Sequence, residues 1–349
     1  MLHGGRRSVS ARPAILAIAT CTVAACSLFT DLSGLTGGSS LVVDSGGADA
    51  IADSFSPPSD APITTPDAAK RFPSCDNDAP GAGAGCGDGH ATDCCETLPV
   101  PGGTYNRYND SILPATVSSF NLDRFEVTVG RFRAFLDQGG ATLSNAPAAD
   151  AGANPLIAGS GWDPAWNVSL SGTEASVSGA LACESTSTWT DAPGANEELP
   201  INCMNWYEAF AFCVWDGGRL PTDTEWGYAA SGGSDQRTYA WGNQAPDPTR
   251  TAWDDGGPLK VVGGYSPLGD AKWGQSEMTG NVQERLLDWY SSPLPPTCDD
   301  CAVLALTDAG GRMERGAGFV QRETDLPNSH VDADFPEVRY AQFGFRCAR

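Results

Sequence analysis

The sequence predicts a loop-rich α+β domain with little regular secondary structure, and three observations support this. Residues 120–127 alternate apolar and polar side chains, as is typical of a β-strand. Apolar residues recur at helical spacing in residues 127–136 and again in residues 206–215, which predicts two short amphipathic helices. Thr222 and Glu225 form a Thr-x-x-Glu capping box, which predicts that a third helix starts at Thr222. Since Gly- and Pro-rich loops separate these few elements, an α+β fold is favoured.

The charge of the chain is strongly acidic. Its 349 residues include 43 acidic and 21 basic side chains, which gives a formal net charge of -22. Because phosphate groups repel such a chain, the charge argues against nucleic acid and against an anionic lipid surface as partners. Apolar residues make up 41% of the sequence, enough for a sizeable core. The excess charge either keeps an exported protein soluble or includes carboxylates that bind a hard cation such as calcium.

The N-terminus has the pattern of an export signal. Three arginines within the first twelve residues precede an apolar run, residues 13–25, which ends in Val-Ala-Ala directly before Cys26. The run is too short to span a bilayer, and the pattern predicts a signal peptide at residues 1–25. The junction resembles a bacterial lipobox, in which Cys26 would be acylated. The mature protein would then be anchored in the cell envelope by lipid alone, on the periplasmic, outer-membrane or extracellular face. The alternative is an ordinary signal peptide in which Cys26 has no role.

Composition divides the remaining chain into three parts. Residues 26–72 contain Gly, Ser, Asp, Ala and Pro with few large apolar side chains, and we expect a disordered tether. Residues 73–97 carry four cysteines with glycines between them, which predicts a small cross-linked segment. Residues 98–349 contain the mixed periodicity described above and form the predicted globular domain.

The cysteines of the exported part are expected to form disulfides. Ten cysteines remain when Cys21 and Cys26 are set aside, and an even, dense set in an exported chain is typical of disulfides. Two alternatives are less favoured. A zinc site lacks the usual paired ligand spacing, and a redox pair would lack its βαβ context. The first would use Cys86, His90, Cys94 and Cys95, and the second Cys298 and Cys301.

Seven short motifs follow one another in the predicted globular domain. They lie at residues 123–129 (DRFEVTV), 200–210 (PINCMNWYEAF), 218–230 (GRLPTDTEWGYAA), 239–243 (YAWGN), 277–282 (EMTGNV), 315–319 (RGAGF) and 344–347 (GFRC). In this order they resemble the motifs of the sulfatase-modifying-factor family, the formylglycine-generating enzymes. The resemblance covers residues 98–349 and implies the family's fold, which is a loop-rich α+β relative of C-type-lectin domains.

The resemblance does not extend to the catalytic residues. Family enzymes oxidise a sulfatase cysteine to formylglycine with molecular oxygen and a copper ion held by two cysteines, and soft thiolates suit Cu(I). Those cysteines follow the segment that matches residues 315–319. Counting from Arg315 places Gln321 and Leu326 at the two positions, and no cysteine lies between Cys301 and Cys347. We therefore expect no bound copper and loss of that activity.

The resemblance also implies one structural calcium ion. In the family a calcium ion is held around the Gly-Asn-Val segment by side-chain oxygens and backbone carbonyls. The matching positions here are Glu277, Gly280, Val282 and Glu284. Oxygen ligands of this kind suit a hard cation. The alternative is that Glu277 and Glu284 are merely solvated.

Two further expectations concern the same domain. The resemblance implies a disulfide between Cys213 and Cys347, and proximity in the sequence suggests how the other cysteines pair. Many relatives have tryptophan where this chain has Gln283 and Arg285, so we expect an altered local surface. The suggested pairs are Cys183 with Cys203, Cys298 with Cys301, and the four N-terminal cysteines among themselves.

These observations favour a binding or structural lipoprotein that keeps the family scaffold without its oxidase site. Its ligand would be an unidentified protein, peptide or glycan. The alternative is an active oxidoreductase of the family, which would oxidise a sulfatase cysteine or carry out another metal-dependent oxidation. Because the chain has only three histidines, an iron-dependent version is disfavoured.

Overall fold

The computed structural model of the protein describes most of the chain beyond the N-terminal region. The described residues are 72–76, 78–83, 85–254, 256–306 and 310–349. They all lie in one unit, Thr64–Arg349. The proposed signal peptide, Cys26 and the proposed tether up to residue 71 lie outside the described residues. In the part of the chain that is described, no helix is long and apolar enough to cross a membrane.

Four α-helices form in the described part of the chain, and the three predicted from sequence are among them. Helices α3 and α4 start with capping boxes built on Asn205 and Thr222, and Thr128 caps α1 by accepting the Arg131 N–H. Helix α2 was not predicted, because Val177 is its only buried residue and a single apolar side chain gives no helical period. The helices are α1 (Val129–Asp137), α2 (Glu174–Ala180), α3 (Trp206–Trp215) and α4 (Asp223–Ala230).

Within the described residues, nine short strands form three small sheets. The orders are β1-β4, β2-β3-β6 and β8-β7-β5-β9. The strand predicted at residues 120–127 ends at Asp123, and beyond it the alternation of buried and exposed side chains stops, since Phe125, Glu126 and Val127 are all fully buried. The strands are β1 (Thr97–Val100), β2 (Gly103–Asn106), β3 (Pro114–Val117), β4 (Phe120–Asp123), β5 (Gln283–Trp289), β6 (Cys298–Asp299), β7 (Arg312–Arg315), β8 (Asp332–Asp334) and β9 (Phe343–Gly344).

The main core lies between α1, α3 and the C-terminal segment. Phe132 of α1 stacks on Phe212 of α3 with ring centroids 5.8 Å apart, and Phe345 meets Phe212 edge-on at 5.4 Å. Beside these rings a disulfide joins Cys213 to Cys347, with an S–S distance of 2.01 Å. The C-terminal segment is therefore fixed to the central helix by packing and by a covalent bond.

The cysteine-rich segment packs directly on the globular domain. The Ser74 N–H donates to Asp216 at 3.0 Å, and Thr128 donates to the Gly81 carbonyl. Gly130 of α1 allows this approach, because a Cβ there would lie 2.4 Å from the Pro80 carbonyl oxygen. All ten cysteines among the described residues are in disulfides. Besides the central bridge, the pairs are Cys75–Cys95, Cys86–Cys94, Cys183–Cys203 and Cys298–Cys301.

Candidate functional site

The loop that follows β7 contains Gln321 and Leu326, the two positions that correspond to the copper-binding cysteines of the family enzymes. Gln321 is partly buried, and both ends of its amide are engaged. Its Oε1 accepts the Gly318 N–H at 2.5 Å, and its Nε2 donates to Asp332 Oδ2 at 2.8 Å. Gln321 therefore connects the loop to β8 through hydrogen bonds that a cysteine side chain is too short to reproduce.

Leu326 lies in an apolar environment. It is 1% exposed and packs in a small cluster with Trp253 and Ala317, with Tyr239 against the same cluster. The two positions thus hold an amide and an alkyl group. Neither supplies the soft thiolate that Cu(I) prefers, and among the described residues every cysteine sulfur is in a disulfide.

Asp332 is the centre of a polar cluster beside this loop. Its Oδ2 accepts hydrogen bonds from Gln321, from Gln283 Nε2 at 2.8 Å, and from His330 Nε2 at 3.2 Å. The bond from His330 is the main cause that lowers the pKa of Asp332, and the same bond raises the pKa of His330. Gln342 completes the cluster by donating to Gln283 Oε1 at 3.4 Å. We call these five residues the Asp332 cluster.

The side chains at the two positions where relatives have tryptophan, Gln283 and Arg285, point into the protein. Gln283 and Arg285 are both fully buried on β5, so the expectation of an altered surface was wrong. Gln283 reaches Asp332, while Arg285 pairs with Glu314 at 3.0 Å and lies over the ring of Phe343. Polar side chains are tolerated here because each finds a partner in the neighbouring strands or loops.

The predicted calcium ligands lie in the interior. Glu277 is 2% exposed and its carboxylate accepts the N–H groups of Gly263 at 2.7 Å and Tyr265 at 3.0 Å. Burial raises the pKa of Glu277 to about 7. Gly280 has a φ of 84°, and a Cβ there would clash with Thr251 Oγ1. The alternative of a solvated Glu277 is therefore wrong.

Glu284 forms an ion pair with a residue of the closing motif. Its carboxylate receives Arg346 at 2.8 Å and the indole N–H of Trp226 at 2.9 Å, and it is 1% exposed. A third carboxylate, Glu126, accepts from Asn281 Nδ2 at 2.6 Å and from the Val282 N–H at 3.1 Å. Burial, together with the charges of Glu277 and Glu284, raises the pKa of Glu126 well above its usual value.

These residues form a buried carboxylate cluster, Glu126, Glu277 and Glu284, around one guanidinium. Its oxygen donors are of the chemical type that calcium prefers. Glu277 and the carbonyls of Gly280 and Val282 fit such an ion in kind. In the described arrangement Glu284 does not, because Arg346 and Trp226 fill the lone-pair directions of both its oxygens.

Comparison with known proteins identifies the family. The profile of the sulfatase-modifying factor enzyme 1-like domain matches residues 87–349. The chain belongs to this family. The match starts inside the cysteine-rich segment, earlier than residue 98, where the predicted globular domain begins. The loop-rich α+β fold described above is therefore the fold of a sulfatase-modifying-factor domain.

Curated relatives of this sulfatase-modifying-factor domain include proteins named as enzymes and proteins named as inactive enzymes. The mouse inactive C-alpha-formylglycine-generating enzyme 2 is 31% identical over 166 residues, which cover 43% of this chain and 49% of the relative. The formylglycine-generating enzyme of Thermomonospora curvata is 30% identical over 181 residues, 46% of this chain and 58% of the relative. Hercynine oxygenase of Mycobacterium tuberculosis is 31% identical over 186 residues, which cover 52% of this chain and 39% of the relative. The chain spans about half the length of the first two.

Solved structures also resemble the domain. PvdO from Pseudomonas aeruginosa has a TM-score of 0.49 at 17% identity, covering 78% of this chain and 99% of that chain. Treponema denticola variable protein 1 has a TM-score of 0.47 at 19% identity, and the match covers 72% of this chain and 94% of that chain.

Three residues of this sulfatase-modifying-factor domain were not singled out from sequence. Asp332 lies outside the seven motifs, and no local pattern marked it. Glu126 and Arg346 lie inside two motifs, at residues 123–129 and 344–347, but their partner Glu284 is in a third. Asking which charged residues of separate motifs must pair inside the core would have pointed to both.

Proposed function

We propose that this protein is a non-catalytic binding or structural module of the sulfatase-modifying factor family. The observation that carries the proposal is the chemistry at Gln321 and Leu326. An amide that connects the loop to β8 and an alkyl group in an apolar cluster take the places of two thiolates. Both side chains contribute to the stability of the loop, and neither can hold Cu(I). A relative named as an inactive enzyme supports the proposal.

The second candidate function is an active oxidoreductase. It is supported by relatives named formylglycine-generating enzyme and hercynine oxygenase, which are 30% and 31% identical over the aligned residues. Activity would require a metal held by residues other than Gln321 and Leu326. The two candidates differ in whether the purified protein binds a redox metal in stoichiometric amount and turns over.

The deciding experiment is a direct activity test. The purified protein, with its disulfides formed, is loaded with Cu(I) and incubated in air with a peptide that contains the Cys-x-Pro-x-Arg motif. Mass spectrometry then reports conversion of the thiol to an aldehyde, with an active family enzyme as control. We expect no conversion. Aldehyde formation would refute the proposal.

A matched variant tests whether the missing thiolates are the reason. The double substitution Gln321→Cys and Leu326→Cys restores the thiolate pair at the two positions. We expect this variant to bind Cu(I) more tightly than the unaltered protein, measured by competition with a chromophoric Cu(I) chelator. Equal Cu(I) affinity of the two proteins would show that the loop does not preserve the geometry of a copper site.

We also propose a lipid anchor and one structural calcium ion. The anchor rests on the lipobox pattern at Cys26, and the five disulfides among the described residues fit an oxidising compartment outside the cytosol. Metabolic labelling with a fatty acid should label the unaltered chain and not the Cys26→Ser variant. The calcium proposal rests on the carboxylate cluster, where three carboxyl groups share one guanidinium. Burial favours the protonated forms of Glu126 and Glu277, and a divalent cation would stabilise their ionised forms. Binding there would have to displace Arg346 from Glu284.

A further inference from the structure

A cavity of about 540 Å³ lies where three separate segments of the chain meet. Its lining residues belong to residues 108–113, which connect β2 to β3, to residues 290–296, which follow β5, and to residues 329–331, which precede β8. A volume of this size is typical of small-molecule sites. Neither Gln321 nor Leu326 lines the cavity, so binding here would not depend on whether the protein is an oxidase.

Among the described residues that line this cavity, none carries a charged side chain. Asp110 and His330 belong to the same segments, but neither is among the lining residues. Asp110 instead accepts the Ile112 N–H through its carboxylate at 3.1 Å. The imidazole of His330 is hydrogen-bonded to Asp332. Because a charged ligand that left water here would meet no opposite charge, the cavity favours a neutral ligand.

The wall of the cavity combines apolar rings with a few hydroxyl groups. Tyr108 and Tyr290 contribute aromatic rings, and Pro293 adds an apolar saturated ring. Aromatic rings pack favourably against one another in offset or edge-on arrangements. Ser292 and Ser329 add hydroxyls that can donate a hydrogen bond to a ligand or accept one from it. A ligand that suits this wall is mainly an apolar ring with one polar group.

The ring of Tyr108 is held in place from inside the protein. Its hydroxyl donates to Asp223 Oδ2 at 2.5 Å, and the Arg315 guanidinium lies 4.9 Å from its ring centroid. Asp223 and Arg315 also pair with each other at 2.9 Å, so their charges compensate. Burial, together with the charge of Asp223, raises the pKa of Tyr108, so its hydroxyl stays neutral at neutral pH. Because the ring is fixed before a ligand arrives, binding orders one side chain fewer.

We propose that this cavity binds a small neutral molecule with an aromatic ring and one polar group. The ring would pack against Tyr108 and Tyr290, and the polar group would form a hydrogen bond with Ser292 or Ser329. Sugars fit this wall less well, because most of their hydroxyl groups would lose water without gaining a partner. Small ions of either sign also fit it less well, because the lining offers no counter-charge.

Three probes that share a phenyl ring and differ in charge test the proposal. Phenylacetamide, phenylacetate and the phenylethylammonium ion are titrated at neutral pH into the ¹⁵N-labelled full chain with its disulfides formed, and NMR chemical shifts report binding. We expect saturable shifts with phenylacetamide at residues 108–113, 290–296 and 329–331, and at least about tenfold weaker binding of either ion. Equal affinities, a preference for either ion, shifts confined to other segments, or no saturable binding of phenylacetamide would overturn the proposal.

A fourth probe tests the role of the tyrosine rings. Cyclohexylacetamide keeps the amide but has no aromatic ring, and it should bind at least about threefold more weakly than phenylacetamide. Equal affinity of the two amides would refute the preference for an aromatic ligand.

Two variants locate the site. Ser329→Trp places a large ring in the lining at an exposed position, and it should weaken phenylacetamide binding at least about tenfold. The control Ser185→Trp adds the same side chain at an exposed position outside the lining and should leave the affinity unchanged. Unchanged phenylacetamide binding in Ser329→Trp, with the melting temperature of the unaltered chain, would contradict the assignment.

Discussion

Removal of the Cys213–Cys347 disulfide should destabilise the protein more than removal of any shorter bridge. The two cysteines are 134 positions apart and both fully buried, and they fix the C-terminal segment to α3. In the chain-entropy description, a closed loop of this length stabilises the folded state by about 5 kcal/mol. A bridge between residues 20 positions apart, such as Cys183–Cys203, contributes about 3.3 kcal/mol by the same relation.

The comparison between these two bridges is the test. The double variants Cys213→Ala/Cys347→Ala and Cys183→Ala/Cys203→Ala are unfolded with urea, with the other four bridges kept oxidised. We expect the first variant to lose about 1.7 kcal/mol more of its unfolding free energy than the second. Loss of packing should increase the difference, because Cys213 and Cys347 are fully buried whereas Cys183 is partly exposed. An equal or smaller loss for the longer bridge would refute the reasoning.

Three further predictions concern the buried and partly buried charges. Burial raises the pKa of Glu277 and Asp288 to about 7 and that of Glu314 to about 8, so the folded protein keeps protons that the unfolded chain has lost. The unfolding free energy should therefore fall as the pH rises from about 5 to 8, by up to about 1.4 kcal/mol per pH unit for each group. Urea titrations at several pH values measure this, and a rise over the same range would contradict the prediction. Asp332→Asn should lower the pKa of His330 towards its usual value, which an NMR titration measures, because the hydrogen bond that raises it is weakened. The same substitution should lower the unfolding free energy by about 1 kcal/mol. The control Asp247→Asn should leave the pKa of His330 unchanged. Calcium added to chelated protein should raise the melting temperature of the unaltered chain but not of Glu277→Gln, and a calorimetric titration without heat would rule out the ion.

The sequence by itself determined the elements whose causes are local. The starts of α3 and α4 depend on capping boxes that span four consecutive residues, so they were readable before any fold was known. The absence of thiolates at Gln321 and Leu326 was equally readable, because the ordered motifs fix the alignment on both sides. The family and its loop-rich α+β fold followed from the same motifs and are confirmed by the profile match.

Only the tertiary structure decided which charges meet. Glu126 reaches Asn281 across 155 positions of sequence, and Arg346 reaches Glu284 across 62. Gln283, which was expected to change the surface, is instead buried against Asp332. No periodicity or spacing encodes such contacts. They form when loops with few local conformational preferences pack together, because each buried charge then pairs with a group from a distant part of the sequence.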